Sequence, residues 1–508
     1  MTKQKAVAEP GAKTALSAAT IGVGALAVMN VTAVVTLNGL PAEATYGLTS
    51  VFYYLFAAIF FLVPVSIVAA ELATAWPEKG GIFRWVGEAF GPHVGFTAIF
   101  LAWIETTIFL PTVLTFAGVS IAFIGPNHGW DQGLASNSLY MIGVVLAVIW
   151  IATFVTMRGI TSAAAVAKWG GILGIIAPAA LLVVVAGLYL TTGKPIQLQL
   201  AWKDLIPNFS DFHSMVLAAS IFLFYAGMEM NAIHVKELKN PTRDYPLAIA
   251  LSSIMTVVIF VLGSLAVAII IPSSQINLTQ SLLIAYDDIF QALGVPWLSP
   301  IVAIALAGGV LGCVTVWVAG PSIGLSVVGD AGYLPPFFQK KNKYGVASRI
   351  LLAQAIIVTL LAVMFVVMPS VQAAYQILSQ LAVTLYLIIY LLMFSAAIYL
   401  RYSQPHTERP YKVPFGAAGM WIFGGFGIFG SLTALILSFV PPSQISIGSP
   451  FTYVALLIAG DVICVAIPLV IYAVRKPSWK TKTGTADFEP FTWEKKAVAP
   501  PPAKLAAE

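Results

Sequence analysis

Long apolar runs separated by short polar stretches set the pattern of this chain, and most runs reach the roughly 20 residues that an α-helix needs to cross a bilayer. Hydropathy predicts twelve spans, near 16–40, 47–75, 94–124, 138–157, 163–190, 215–237, 247–271, 297–327, 350–368, 372–400, 418–440 and 450–474. Only the turn Met368-Pro369-Ser370 separates the ninth span from the tenth, and the eighth is long enough to tilt. The expected fold class is therefore an all-α membrane protein. The expected organisation is an N-terminal tail (1–15), a first block of five helices (16–190), a connecting segment (191–214), a second block of five (215–400), two additional helices (401–474) and a C-terminal tail (475–508).

Two spans depart from plain apolar helix at corresponding places. Span six runs in from about Met215 and meets Gly227 and Glu229 in its interior, then continues through His234 into Lys236, Lys239 and Arg243. A carboxylate at bilayer depth costs about 2.5–3.5 kcal/mol even on the lenient insertion scale, and glycine beside it loosens the helical ladder. One reading is a kinked structural helix whose Glu229 pairs with a neighbour or reaches water. The other is a broken helix lining a substrate site, and the rest of the chain favours it. Span one carries Thr32 and Thr36 at mid-membrane, then Asn38-Gly39-Leu40-Pro41. Threonine hydroxyls and water are the expected partners for carbonyls freed there. Spans one and six each open a block of five, and paired interrupted helices at matching positions point to a transporter site between inverted repeats.

Other polar residues lie inside the runs. Span three holds Trp103, Glu105 and Pro111; Glu105 is read equally as a hydrogen-bonding structural acid or as part of a proton relay. Lys168 opens span five beside Trp169-Gly170-Gly171, where snorkelling to headgroups is the simplest account. Tyr386 and Tyr390 share one face of span ten at mid-span, so their hydroxyls need partners. The segments 125–137, 191–214 and 272–296 are expected outside, with 191–214 lying over the outer mouth.

Composition agrees with this class: of 508 residues 59% are hydrophobic and only 9% charged, with a mean hydropathy of +0.91, whereas soluble domains carry about 25% charged residues. The pI near 9.0 reflects where the bases sit, not a nucleic-acid partner. All but two of the 26 Lys and Arg fall in the tails or on one set of loops, the exceptions being Lys194 and Lys203, which puts both termini in the cytoplasm. Cys313 and Cys464 lie in apolar runs and suggest neither a disulfide framework nor a metal site. The five histidines are scattered, and no nucleophile elbow or phosphate loop is present, so an enzyme, a metal and a cofactor are not expected. The C-terminal tail is polar and Pro-rich and reads as disordered, although Trp479, Phe488, Phe491 and Trp493 could dock.

The motifs Ala70-Glu71-Leu-Ala-Thr74, Gly80-Gly81, Gly91-Pro92, Gly227-Met-Glu229, His234-Val235, the run Asn240-Pro241-Thr242-Arg243-Asp244-Tyr245-Pro246, Ile276-Asn277-Leu278 and Gly320-Pro321-Ser322 carry a resemblance from about Leu16 to Lys476. The chain resembles the amino acid–polyamine–organocation superfamily of transporters, and within it the bacterial glutamate/GABA antiporters of acid resistance. That resemblance implies five-plus-five inverted repeats with broken helices one and six, alternating access, exchange without ATP, and a home in the bacterial cytoplasmic (inner) membrane. It places substrate among spans one, three, six, eight and ten. The implied substrate-binding set is Ala33, Val35, Thr36, Asn38, Glu105, Phe224, Ala226, Gly227, Tyr386 and Tyr390, with Lys168, Glu229 and Cys313 in coupling or gating. Two positions depart from the family pattern: Asn38 replaces an aromatic residue and Cys313 replaces an acid.

The expected function is exchange of external glutamate for internal GABA, or of a related anionic or zwitterionic pair. The alternative is a cationic amino acid or polyamine exchanger, disfavoured because Glu105 and Glu229 are read as the sole deep acids on the core spans. A nutrient sensor with a transporter fold would need an effector domain larger than the short tail. By analogy with proton-dependent relatives, Lys168 would occupy a sodium position and make the carrier sodium-independent. Relatives close the inner mouth with the tail in a pH-dependent way; this tail has no histidine to titrate.

Overall fold

The structure is a computed structural model that describes residues 21–78, 80–125, 128–159, 169–210, 212–229, 238–481 and 491–494. Among these no strand forms, and a single isolated bridge joins Ile21 to Leu238. In chain order the helices are α1 (Val23–Val34), α2 (Leu40–Ala44), α3 (Thr49–Ala75), α4 (Ile82–Phe90), α5 (Pro92–Ala122), α6 (His128–Ala135), α7 (Ser138–Met157), α8 (Trp169–Thr191), α9 (Ser220–Phe224), α10 (Pro241–Ile270), α11 (Ser281–Ala292), α12 (Leu298–Tyr333), α13 (Ser348–Val367), α14 (Val371–Ser403), α15 (Gly416–Ser438) and α16 (Pro450–Ala473). Ten of the described helices are long and apolar enough to cross a membrane.

Burial sorts them into a centre and a periphery. The apolar windows of α5 and α14 are 78% and 72% buried, whereas that of α16 is only 22% buried. With no water to drive helices together in lipid, close approach depends on small residues and polar contacts. Gly174 of α8 meets Gly309 of α12 so closely that a Cβ on Gly174 would lie 2.2 Å from the Gly309 Cα. At the centre α5 packs against both α12 and α14, and the Trp103 indole donates to Ser322 Oγ at 3.2 Å.

The two interrupted spans are resolved differently from expectation. Helix α1 ends at Val34, Val35 turns extended (φ −72, ψ 119), and the chain re-enters helix only at Leu40, with Pro41 in the first turn of α2. The break therefore begins before the Asn-Gly-Leu-Pro stretch, and Pro41 starts the second half instead of closing the first; proline suits a helix start because its missing N–H has no partner there anyway. Thr32 does not serve the break either, since its hydroxyl donates back to the Val28 and Met29 carbonyls. Span six is a 3₁₀ turn (Phe212–Ala219) leading into α9, and it stops at Phe224. Gly227 then adopts φ +108, a conformation L side chains rarely reach. Glu229 thus lies beyond the break, not in a helix interior. His234, Lys236 and Lys168 fall outside the described residues.

Three other expectations change. The segments read as the loops 125–137 and 272–296 contain the helices α6 and α11, the latter tucked in with Asp287 only 5% exposed. The tail is docked where described: Phe491 is buried, its ring lies 5.0 Å from the Arg84 guanidinium, and Trp493 stacks on it.

Candidate substrate site at the broken helices

The break in span six is closed by one carboxylate. Glu229 accepts from the Tyr386 hydroxyl on Oε1 and from the Tyr390 hydroxyl on Oε2, both at 2.7 Å. The Gly227 N–H donates to Oε2 at 3.1 Å and also meets the Tyr390 oxygen at 3.3 Å. Freed backbone N–H, carboxylate and two phenols so satisfy one another where water is scarce. The i,i+4 spacing places both tyrosines on one face of α14, with ring centroids 4.7 Å apart. Phe61 of α3 packs edge-on to Tyr390 at 4.8 Å and fixes its position.

The break in span one is held from the same helix. The Tyr375 hydroxyl donates to the Asn38 carbonyl at 3.2 Å, and the Asn38 amide reaches back to the Tyr375 oxygen at 3.4 Å. The two breaks also touch each other, because a Cβ on Gly39 would fall 2.2 Å from the Phe224 ring. Helix α14 is therefore the common backing for both interruptions, which explains why it is so fully buried.

The residues singled out in the sequence divide into two groups around these breaks. Glu229, Gly227, Tyr386 and Tyr390 form the cluster described, and Glu105 of α5 lies in electrostatic reach of both Glu229 and Tyr386. Glu105 is 4% exposed and accepts from the Thr106 hydroxyl at 3.1 Å. Val35, Thr36, Asn38 and Cys313 instead line a cavity of about 50 Å³ beside the span-one break, with Trp317. A space of this size is large enough to admit water. The Thr36 hydroxyl there has no hydrogen-bond partner among the described residues. Phe224 packs at Gly39, and the Ala226 N–H bonds the Leu223 carbonyl. Ala33 is in the last turn of α1, and Lys168 is outside the described residues.

Sequence reading missed Glu43. This acid sits in α2, is 0% exposed and accepts from the Ser220 hydroxyl of α9 at 2.9 Å. With Glu43 present, Glu105 and Glu229 are not the sole deep acids of the core spans; outside those spans, Asp461 of α16 accepts from the Thr384 hydroxyl at 2.8 Å. The signal was visible as a charge two residues after Pro41, but ending span one at residue 40 assigned it to a loop. Tyr375 was missed as well, one of many aromatic residues in a long apolar run.

The opposite end of the bundle, where Lys and Arg cluster, is tied by ion pairs. Glu71, in the Ala-Glu-Leu-Ala-Thr motif, pairs with Arg401 at 2.6 Å and Arg409 at 3.1 Å, and accepts from the Val413 N–H at 2.7 Å. Burial pulls the Arg409 guanidinium below its ordinary pKa, and Glu71 opposes that shift. Arg84 pairs with Glu88 at 2.7 Å, and Glu88 also receives the Thr492 N–H at 3.0 Å. The tail is held a second time where the Thr481 N–H meets the Asp330 carbonyl and Gln339 bonds the Trp479 carbonyl at 2.8 Å.

Comparison with known proteins agrees with this architecture. The family model for amino acid permeases matches residues 17–460. The chain is 37% identical over 450 residues to an uncharacterized transporter of Legionella pneumophila, covering 88% of this chain and 95% of that one. It is 32% identical over 447 residues to the glutamate/gamma-aminobutyrate antiporter of Lactococcus lactis, covering 87% and 88%. A probable agmatine/putrescine antiporter from the same species is 23% identical over 403 residues. Interrupted helices backed by one buried helix, together with a family match over most of its length, identify this chain as a member of the amino acid permease family within the amino acid–polyamine–organocation superfamily.

Proposed function

We propose that the protein is an antiporter that exchanges external glutamate for internal GABA, or a closely related pair, by alternating access. In this reading twelve spans form two inverted repeats, 16–190 and 215–400, followed by two additional helices. The basic face is cytosolic in the inner membrane, and both termini lie there. Substrate binds between the breaks of spans one and six. The observation that carries the reading is the Glu229 cluster: a carboxylate, two phenols and a freed backbone N–H converge beside Glu105 and the opposite break. Such irregular backbone at membrane depth is tolerated only against protein or a water-filled path. Identity to the Lactococcus glutamate/gamma-aminobutyrate antiporters over most of the chain supports the substrate pair.

Counterflow in proteoliposomes with a panel of labelled amino acids tests it. Glutamate and GABA should each drive uptake of the other, and a panel in which neither competes would overturn the assignment. A second reading, exchange of a cationic amino acid or polyamine, gains from Glu43, because it adds a deep acid to the core. Arginine, agmatine and putrescine therefore belong in the same panel.

A further inference from the structure

Glu43 lies where the outer halves of the two broken spans meet, and its surroundings leave it incompletely paired. Oε1 accepts from Ser220 of α9, while Oε2 has no hydrogen-bond partner among the described residues. Four phenols lie in electrostatic reach: Tyr46 beside it in the chain, Tyr54 of α3, Tyr225 just after α9, and Tyr375 of α14. Their hydroxyls are engaged elsewhere. Tyr225 donates to the Tyr54 carbonyl and Tyr375 to the Asn38 carbonyl; Tyr54 pairs with Ser264 of α10, and Tyr46 receives the Ala218 N–H. Helix α11, which also touches α2, carries the acids Asp287 and Asp288 and no base. The 3₁₀ turn before α9 carries His213, which is exposed and bonded to the Pro441 carbonyl. No described cation pairs with Glu43.

An ionised carboxylate in such a place would keep a full charge with one oxygen unpaired and no counter-ion among the described residues, and isolated charges in apolar surroundings are relieved by neutralisation. We infer that Glu43 is a proton-binding site that joins α2 to α9, holding one proton on its carboxyl group while the outer halves of spans one and six are packed together. Separation of α2 from α9 exposes the carboxyl to water, where it releases the proton; repacking takes one up. One proton is bound or released, and no other bond changes. The inference rests on the alternating-access reading for its consequence, since it makes the proton the ion that biases the outer gate.

Infrared difference spectroscopy of the purified full-length protein at neutral pH tests the site without transport. Wild type minus Glu43→Gln should show a carboxylic-acid C=O band, and Ser220→Ala should shift that band by removing its hydrogen bond. Absence of the band overturns the site. Exchange of GABA for GABA in proteoliposomes tests the consequence, because the charge of this substrate is constant between weakly acid and neutral pH. Glu43→Gln should retain exchange and lose most of the wild-type response to external pH. A response identical to wild type overturns the gating role. Should the wild type exchange no amino acid at all, the transport assignment fails, and the infrared band still decides whether Glu43 holds a proton.

Discussion

Gly39 and Phe224 meet where the two interrupted helices touch, with no room for even a methyl group between them: a Cβ on residue 39 would stand 2.2 Å from the aromatic ring. Overpacking of this kind costs about 1–3 kcal/mol. Gly39→Ala should therefore push the breaks apart and depress exchange, and adding Phe224→Leu in the same chain should restore part of it. Initial exchange rates of the two variants against the wild type are the measurement; a fully active Gly39→Ala protein would show that this contact does not govern transport.

Glu229 offers a sharper contrast. Glu229→Gln keeps the size of the side chain and much of its hydrogen bonding, whereas Glu229→Ala strands two tyrosine hydroxyls and leaves the Gly227 N–H only its longer contact to the Tyr390 oxygen. Leaving a buried polar group unpaired costs about 1–3 kcal/mol. Exchange should be better preserved in the glutamine variant, and equal, near-normal activity in both would remove Glu229 from the transport cycle.

Tyr386 and Tyr390 should line the path along which substrate moves. Cysteine at either position is expected to react with a small water-soluble thiol reagent in a background where Cys313 and Cys464 are replaced, and substrate should slow the reaction. Labelling that ignores substrate would separate these residues from the path.

The docked tail gives a prediction opposite to the one its composition suggested. Phe491 lies under Arg84, and a Cβ on Gly87 would fall 2.7 Å from its ring. Phe491→Ala should free the tail, speed its cleavage by trypsin from the basic face, and raise exchange at neutral pH. Unchanged cleavage and unchanged exchange would show that this ring holds nothing in place.

External pH acts through the substrate as well as the protein. A glutamate monoanion entering against neutral GABA carries negative charge inward, and 100 mV, negative inside, opposes it by about 2.3 kcal/mol. The side chain has a reference pKa of about 4.3, so it is half neutral near that pH and mostly neutral below it, and the penalty falls accordingly. Glutamate uptake should rise as the outside is acidified, and its dependence on membrane potential should weaken together with that rise. Uptake that is insensitive to potential at neutral pH would exclude a charged exchange.

The membrane class, most spans and the conspicuous polar residues Glu229, Tyr386 and Tyr390, which the structure brings together, were legible in the chain because lipid imposes a simple rule: about 20 apolar residues per crossing, with each polar exception conspicuous. The placement of the breaks was not, because a helix in lipid can unwind wherever neighbours supply hydrogen bonds, and those neighbours are remote in sequence. Tyr375 lies 337 residues from Asn38, whose carbonyl it holds. Glu43 was read as part of a loop until α2 set it against Ser220, 177 residues away. The buried state of Phe491 likewise exists only because Arg84, Gly87 and Glu88 form its seat; composition reports solubility along the chain, whereas docking depends on a surface that only the folded helices create.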